Sequence, residues 1–196
     1  MTMQARAQQT RRTIIEAAAD AFVTRGFAGA SLAEIADQAG VTKGALYFHF
    51  PSKAALASAM IEVQREANAE LAERVDAYEG DRLELLVDLT RALGRRLVDD
   101  ATLRAAMRLA VERGEVEDAV ISETYTRWEQ LVAEVVRVAK ERREVAGHID
   151  PERFARFLVA AFTGLQTVSL VESGLGDLDD RVEDMWMLLR PALTVG

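Results

Sequence analysis

The sequence predicts an all-α chain, on three observations. Ala, Leu, Val, Glu and Arg are abundant and proline occurs three times in 196 residues, a composition that favours helix. Apolar residues recur at spacings of three and four along most of the chain, with no sustained strand alternation. Capping residues and glycines stand at the ends of these runs, where helices start and stop. The length suffices to bury a sizeable core, as one large or two small domains.

Taken in order, Gln8 to Arg25 forms a first helix with Ile14, Ile15, Ala18, Ala21 and Phe22 on one stripe and Gly26 as its stop. The polar residues before it are expected to fray, with Arg6 or Arg11 in reach of phosphate. Ser31 three residues before Glu34 is a capping box, and Ile35, Ala36 and Ala39 continue a second helix to the left-handed stop at Gly40. Thr42 caps a third helix that ends at about His49, since the residue before Pro51 is steered away from helical geometry. Ser52 caps a fourth, running to about Ala77. Further helices are predicted over about 83–99, 103–112, 116–143 after a turn at Gly114, 151–173 behind Asp150 and Pro151, and 179–189 before Pro191.

The third helix is the distinctive one. Val41, Leu46 and Phe50 point inward and leave Lys43, Gly44, Tyr47 and Phe48 outward, a cationic and aromatic face with one bare backbone position. A helix, tight turn and second helix in this order place the second helix in the major groove of DNA while its flanks touch phosphate. Lys43 then reaches a guanine edge or a phosphate, and Gly44 lets the backbone approach the groove wall. Phe48 packs on a thymine methyl or sugar carbons, while Tyr47, His49 and Lys53 suit phosphate, Lys53 also adding the charge that displaces counterions.

Arg12 to Lys53, and above all VTKGALYFHFPSK, resembles the DNA-binding domain of the TetR family of one-component repressors. Within that family, TKGALYFHF followed by SKxxLA is similar to the γ-butyrolactone receptor group of actinobacteria. The resemblance implies base and phosphate contacts at Lys43, Gly44, Tyr47, Phe48, His49 and Lys53, with Thr42 at the helix start. Ala45 stands where some relatives have a polar base-contacting residue, so fewer side chains read the bases. It also implies two domains: residues 1–53 as the helix-turn-helix head, a fourth helix over about 52–77 as connector, and 54–196 as a helical ligand-binding and dimerisation body, about nine helices in all.

Net charge is −8, which by itself argues against a nucleic-acid partner. Its distribution removes the objection. Residues 1–53 hold six Arg and Lys against four carboxylates, a net +2, so the remainder carries −10. A basic head on an acidic body approaches DNA in one orientation.

In the body, the last two helices carry Phe154, Phe157, Leu158, Phe162, Leu165, Val168, Trp186 and Leu189 over more than one face. Such helices need partners on more than one side, and a second copy of the chain is the expected one. Trp128 stands on an otherwise aliphatic stripe where it can form a pocket wall, and it resembles a tryptophan that γ-butyrolactone receptors place against their ligand. Gln64, Gln130, Thr163 and Gln166 are candidate polar handles, with Leu89, Leu93, Leu109, Val132 and Phe162 as apolar lining. Few cations interrupt these stripes, so the expected ligand is small, neutral and mostly apolar, a γ-butyrolactone or butenolide. Alternatives are a TetR-type repressor sensing an antibiotic or other apolar drug, and a helical adaptor that binds only protein.

Two distant histidines, no cysteine and no phosphate-cradling glycine loop leave little from which to build a metal site or an activated nucleophile. No enzymatic activity, metal or cofactor is expected. With no signal-peptide pattern and no apolar run judged long enough to span a bilayer, the expected location is the cytoplasm and no membrane partner is foreseen.

Overall fold

The computed structural model describes the backbone of residues 3–76, 78–111 and 118–194, and the side chains of 4–63, 75, 78–109 and 123–194. Among the described residues there are nine helices and no strand: α1 Met3–Gly29, α2 Leu32–Gln38, α3 Lys43–His49, α4 Lys53–Asp76, α5 Arg82–Asp99, α6 Ala101–Val111, α7 Asp118–Glu141, α8 Pro151–Ser173 and α9 Leu178–Leu193. The turn expected at Gly114 lies outside the described residues. The chain forms two compact units, one of Met1–Asn68 with Asp100–Ile121 and the other of Ala69–Asp99 with Ser122–Gly196. The head is therefore larger than residues 1–53, because α6 folds with it.

The head is built on α1, which packs against α2 and α6. Ile14, Ala18, Phe22, Ile35, Leu46, Leu56 and Met60 meet Ala105, Ala106 and Leu109 in one buried apolar cluster. α1 starts earlier than the sequence predicts, at Met3, since nothing in QARAQQTRR breaks a helix. Its stop is the expected one in a modified form. Gly26 adopts φ 71° and ψ 174°, a kink after which one more turn runs to Gly29. Arg108 of α6 donates to the carbonyl of Val23 near that kink, at 2.5 Å.

α2 ends as its sequence predicts. Gly40 has φ 66°, its amide donates to Asp37 at 3.1 Å and the Val41 amide to Ala36 at 3.0 Å. This pair of bonds satisfies carbonyls that a helix end leaves open. The start of α2 differs. Ser31 holds the N-cap position without a side-chain hydrogen bond, and Glu34 turns outward to Arg25 at 3.5 Å. The capping box is thus not formed, and the Glu34 carboxylate faces Arg25 instead.

In the body, α9 packs on α5 and α8. Trp186 is fully buried and its indole Nε1 donates to Thr90 Oγ1 of α5 at 2.7 Å. Two bidentate ion pairs flank this bond, Arg91 to Glu183 at 2.5 and 2.6 Å and Arg190 to Glu84 at 2.5 and 2.8 Å. α8 begins with Asp150 accepting the Arg153 amide at 2.8 Å and with Pro151 in the first turn. At the α8–α9 corner Ser169 and Ser173 donate to Asp177 Oδ1 at 2.5 and 2.6 Å, and Arg181 Nε to Oδ2 at 2.6 Å. Hydrogen bonds from Ser169, then Ser173 and Arg181, hold the Asp177 carboxyl far below its usual range.

Three expectations about the body need correction. α9 continues through Pro191 to Leu193; a proline in the last turn removes one backbone bond, beside the exposed Met187. Phe162 is buried within its own chain and Leu165 is half-buried, so neither is the free apolar face. That face is Phe157, Val168 and Val171 on α8, with Met187 and Leu188 on α9; Val171 is 81% and Leu188 77% exposed. Finally, α8 is long and apolar enough, by length and composition, to cross a membrane. Arg156 and Glu172 lie near its two ends and leave a charge-free stretch between them.

Candidate nucleic-acid interface and ligand groove

α3 is short, and its two ends are fixed by local chemistry. Thr42 has extended backbone and its Oγ1 accepts the Ala45 amide at 3.1 Å, starting the helix. Phe50, ahead of Pro51, leaves helical geometry at φ −139° and ψ 100°. Leu46 and Phe50 are buried and Val41 is half-buried, which seats α3 on the head's core. Lys43 and Gly44 are exposed, Tyr47 is 53% and Phe48 83% exposed. His49 is half-buried, its ring edge-on to Phe48 at 5.3 Å and tilted to Phe50 at 6.4 Å.

Lys53, expected at phosphate, is engaged within the head itself. Its Nζ donates to the carbonyls of Ala28 and Ala30 at 3.3 and 3.0 Å and lies 4.5 Å above the Phe27 ring. The carbonyls behind the last turn of α1 lack helical partners, and an ammonium at a helix C-terminus satisfies them favourably. Arg11, by contrast, sits 5.3 Å over the ring of Phe50, a link between α1 and the end of α3 that apolar periodicity does not reveal.

The candidate ligand residues scatter. Leu89, Leu93, Trp128, Gln130, Val132, Phe162, Thr163 and Gln166 belong to the body unit. Leu109 is buried in the head's apolar cluster instead, because the stripe of α6 that carries it packs on α1. The side chain of Gln64 lies outside the described residues. Trp128, Leu89 and Leu93 are half-buried, whereas Val132 and Phe162 are buried.

Thr163 lines an open groove of about 550 Å³ on α7 and α8, with Tyr125, Glu129, Val159, Ala160, Gly164, Thr167 and Val168. Burial raises the pKa of Tyr125 above the usual phenol value, partly offset by a hydrogen bond with Thr163, so the hydroxyl stays protonated. Gln130 is elsewhere, in a charged groove of about 380 Å³ with Glu129, Glu134, Arg137, Glu152 and Arg156. Gln166 is 5% exposed and makes no hydrogen bond among the described residues. Tyr125 was legible only as an apolar-stripe residue, since the groove is made by the packing of α8 beside α7.

The head is a helix-turn-helix unit and the body a helical unit with an open groove and an uncovered apolar face. Residues 14–60 match the family described as bacterial regulatory proteins, tetR family, and residues 81–194 the tetracyclin repressor-like C-terminal domain. The chain belongs to the TetR family. It is 38% identical to the A-factor receptor protein of Streptomyces griseus over 193 residues, 98% of this chain and 67% of that one. It is 34% identical to the transcriptional regulator TtgR of Pseudomonas putida over 95% of each chain. Among solved structures, a gamma-butyrolactone receptor, an ArpA-like protein, superposes with a TM-score of 0.83 at 35% identity, over 96% of this chain and 90% of that one. CprB from Streptomyces coelicolor, solved in complex with its operator sequence, gives 0.85 at 36% identity over 96% and 90%.

Proposed function

We propose that this chain is a ligand-responsive transcriptional repressor of the γ-butyrolactone receptor type. It binds a palindromic operator as a homodimer and leaves it when a small neutral autoregulator, a γ-butyrolactone or butenolide, enters the body. The observation that carries the reading is the outward face of α3: Lys43, Gly44, Tyr47 and Phe48 exposed together on a helix fixed by Thr42, Leu46 and Phe50. Lys43 reads a base edge or phosphate, Tyr47 and His49 donate to phosphate, and Phe48 covers a thymine methyl or sugar. The likeness to the A-factor receptor and to a gamma-butyrolactone receptor supports the ligand class.

Homodimerisation uses the apolar stripe of α8 and α9, which a second copy covers with the same stripe. Two heads then face successive major grooves about 34–36 Å apart. In the body, the half-buried Trp128 supplies an apolar wall, and Gln166 and Thr163 supply the polar contacts for a lactone carbonyl or hydroxyl. Such a repressor is a binding protein, not an enzyme, and works in the cytoplasm where the operator is. α4 carries residues of both units, so release runs through this helix. The ligand shifts the equilibrium only by its differential affinity for the released state.

The test is electrophoretic shift of the purified chain on duplex from its own promoter region, with and without extract of the producing culture. The reading expects a saturable shift that the extract abolishes. A shift that extract leaves intact removes the ligand half, and no shift at any salt removes the whole.

A further inference from the structure

The first three turns of α1 are the most cationic segment of the head, and the outward face of α3 does not account for them. Residues 1–13 hold Arg6, Arg11 and Arg12 with no carboxylate, a net +3, whereas residues 14–53 sum to −1. The whole positive excess of residues 1–53 therefore comes from this segment. It also precedes residue 14, where the family match begins.

Charge of this kind at a helix start opposes the macrodipole, and the first turn of α1 has no acidic residue to offset it. Nor does the fold pair these cations with carboxylates. Among the described residues Arg6, Arg11 and Arg12 form no ion pair, whereas Arg25 is paired with Glu34 and Lys53 is spent on the carbonyls of Ala28 and Ala30. The segment has a defined place as well. Arg11 on the Phe50 ring fixes it against the end of α3, and Arg6 stands five residues upstream, roughly 7.5 Å along the helix.

We infer that the N-terminal extension of α1 is a second DNA-contacting element, in which Arg6 and Arg12 take phosphates flanking the site read by α3, and Arg11 is the positioning residue that aims it. The inference rests on the DNA-binding reading above. Lys53 leaves a deficit of exposed positive charge beside α3, and these arginines fill it. They supply affinity without sequence preference, since phosphate contacts carry no base information.

The experiment measures binding of the full chain to two duplexes of equal length, its own promoter region and a scrambled sequence, by fluorescence anisotropy over a range of salt. Each phosphate contact contributes about 0.9 to the slope of log K against log salt. Two arginines on each of two heads predict that Arg6→Ala/Arg12→Ala flattens that slope by roughly three to four. The fold loss should be equal on both duplexes, and Arg6→Lys/Arg12→Lys should restore the slope. Lys43→Ala, as comparator, should weaken the promoter duplex more than the scrambled one. An unchanged slope in the double alanine variant, with helix content and dimer intact, overturns the extension alone. A parent chain that binds neither duplex overturns the DNA reading on which it rests.

Discussion

Thr90→Val tests how the body holds its outer apolar face in place. Trp186 is buried and its indole nitrogen donates to Thr90 Oγ1 at 2.7 Å, while that hydroxyl also lies 2.8 Å from the carbonyl of Val87 and 3.1 Å from that of Leu86. Valine keeps the branched shape and a similar helix propensity, but it leaves the indole N–H with no acceptor in a site closed to water. Leaving one buried donor unpaired costs about 1–3 kcal/mol. The Thr90 back-bond to its own helix adds little. For a chain of this length each kcal/mol moves the melting temperature by roughly 2–4 °C, so the variant should melt roughly 2–12 °C below the parent.

A double-mutant cycle isolates the bond from the shape. Trp186→Phe removes the donor along with volume, and combining it with Thr90→Val removes both partners. The double variant should then be more stable than the sum of the single losses implies, by about 1 kcal/mol. Met187 and Leu188 follow Trp186 directly in α9 and are exposed, so a slackened Trp186 should also weaken self-association. Thermal melts by circular dichroism beside sedimentation velocity read both effects. Thr90→Val with parental melting and additive energies in the cycle would refute the claim that this bond anchors α9 on α5.

Three further outcomes are expected. Trp128→Ala should give a folded dimer that holds its operator but is no longer released by the autoregulator; parental release, followed by anisotropy, would remove Trp128 from the pocket. Val171→Asp leaves the isolated chain's fold undisturbed because Val171 is exposed, yet places an unpaired charge in the proposed interface at a cost of several kcal/mol; sedimentation should report monomers. Asp177 is held below its ordinary pKa by Ser169, Ser173 and Arg181, so its contribution is present above the unfolded value of about 4 and is lost as pH falls towards the folded one. The parent's melting temperature should therefore drop more steeply than that of Asp177→Asn between about pH 4 and pH 2.

Local signals were the legible part of the fold. Gly40, Thr42 and Pro51 act through their own backbone neighbours, so the limits of α2 and α3 follow from residues a few positions apart. The outward face of α3 follows from the same short range. What escaped depends on contacts distant in sequence. Glu34 serves Arg25 in place of the N-terminus of α2, and Lys53 serves a helix end more than twenty residues away. Leu109 has the periodicity of any apolar helix; only the packing of α6 on α1 puts it in the head rather than beside a ligand. The apolar stripes of α8 were visible as apolar, but which of Phe157, Phe162 and Val168 faces inward is set by partner helices such as α9, not by α8 itself.

The central claim is that operator and autoregulator compete through two states of one chain, and thermodynamic reciprocity tests it most directly. Titration calorimetry with the releasing lactone, run on the free protein and on the protein saturated with operator duplex, gives the ligand's two affinities. The account predicts that operator lowers lactone affinity by the same factor by which lactone lowers operator affinity. Equal lactone affinity in the two titrations would contradict it, since a ligand that binds both states alike releases nothing.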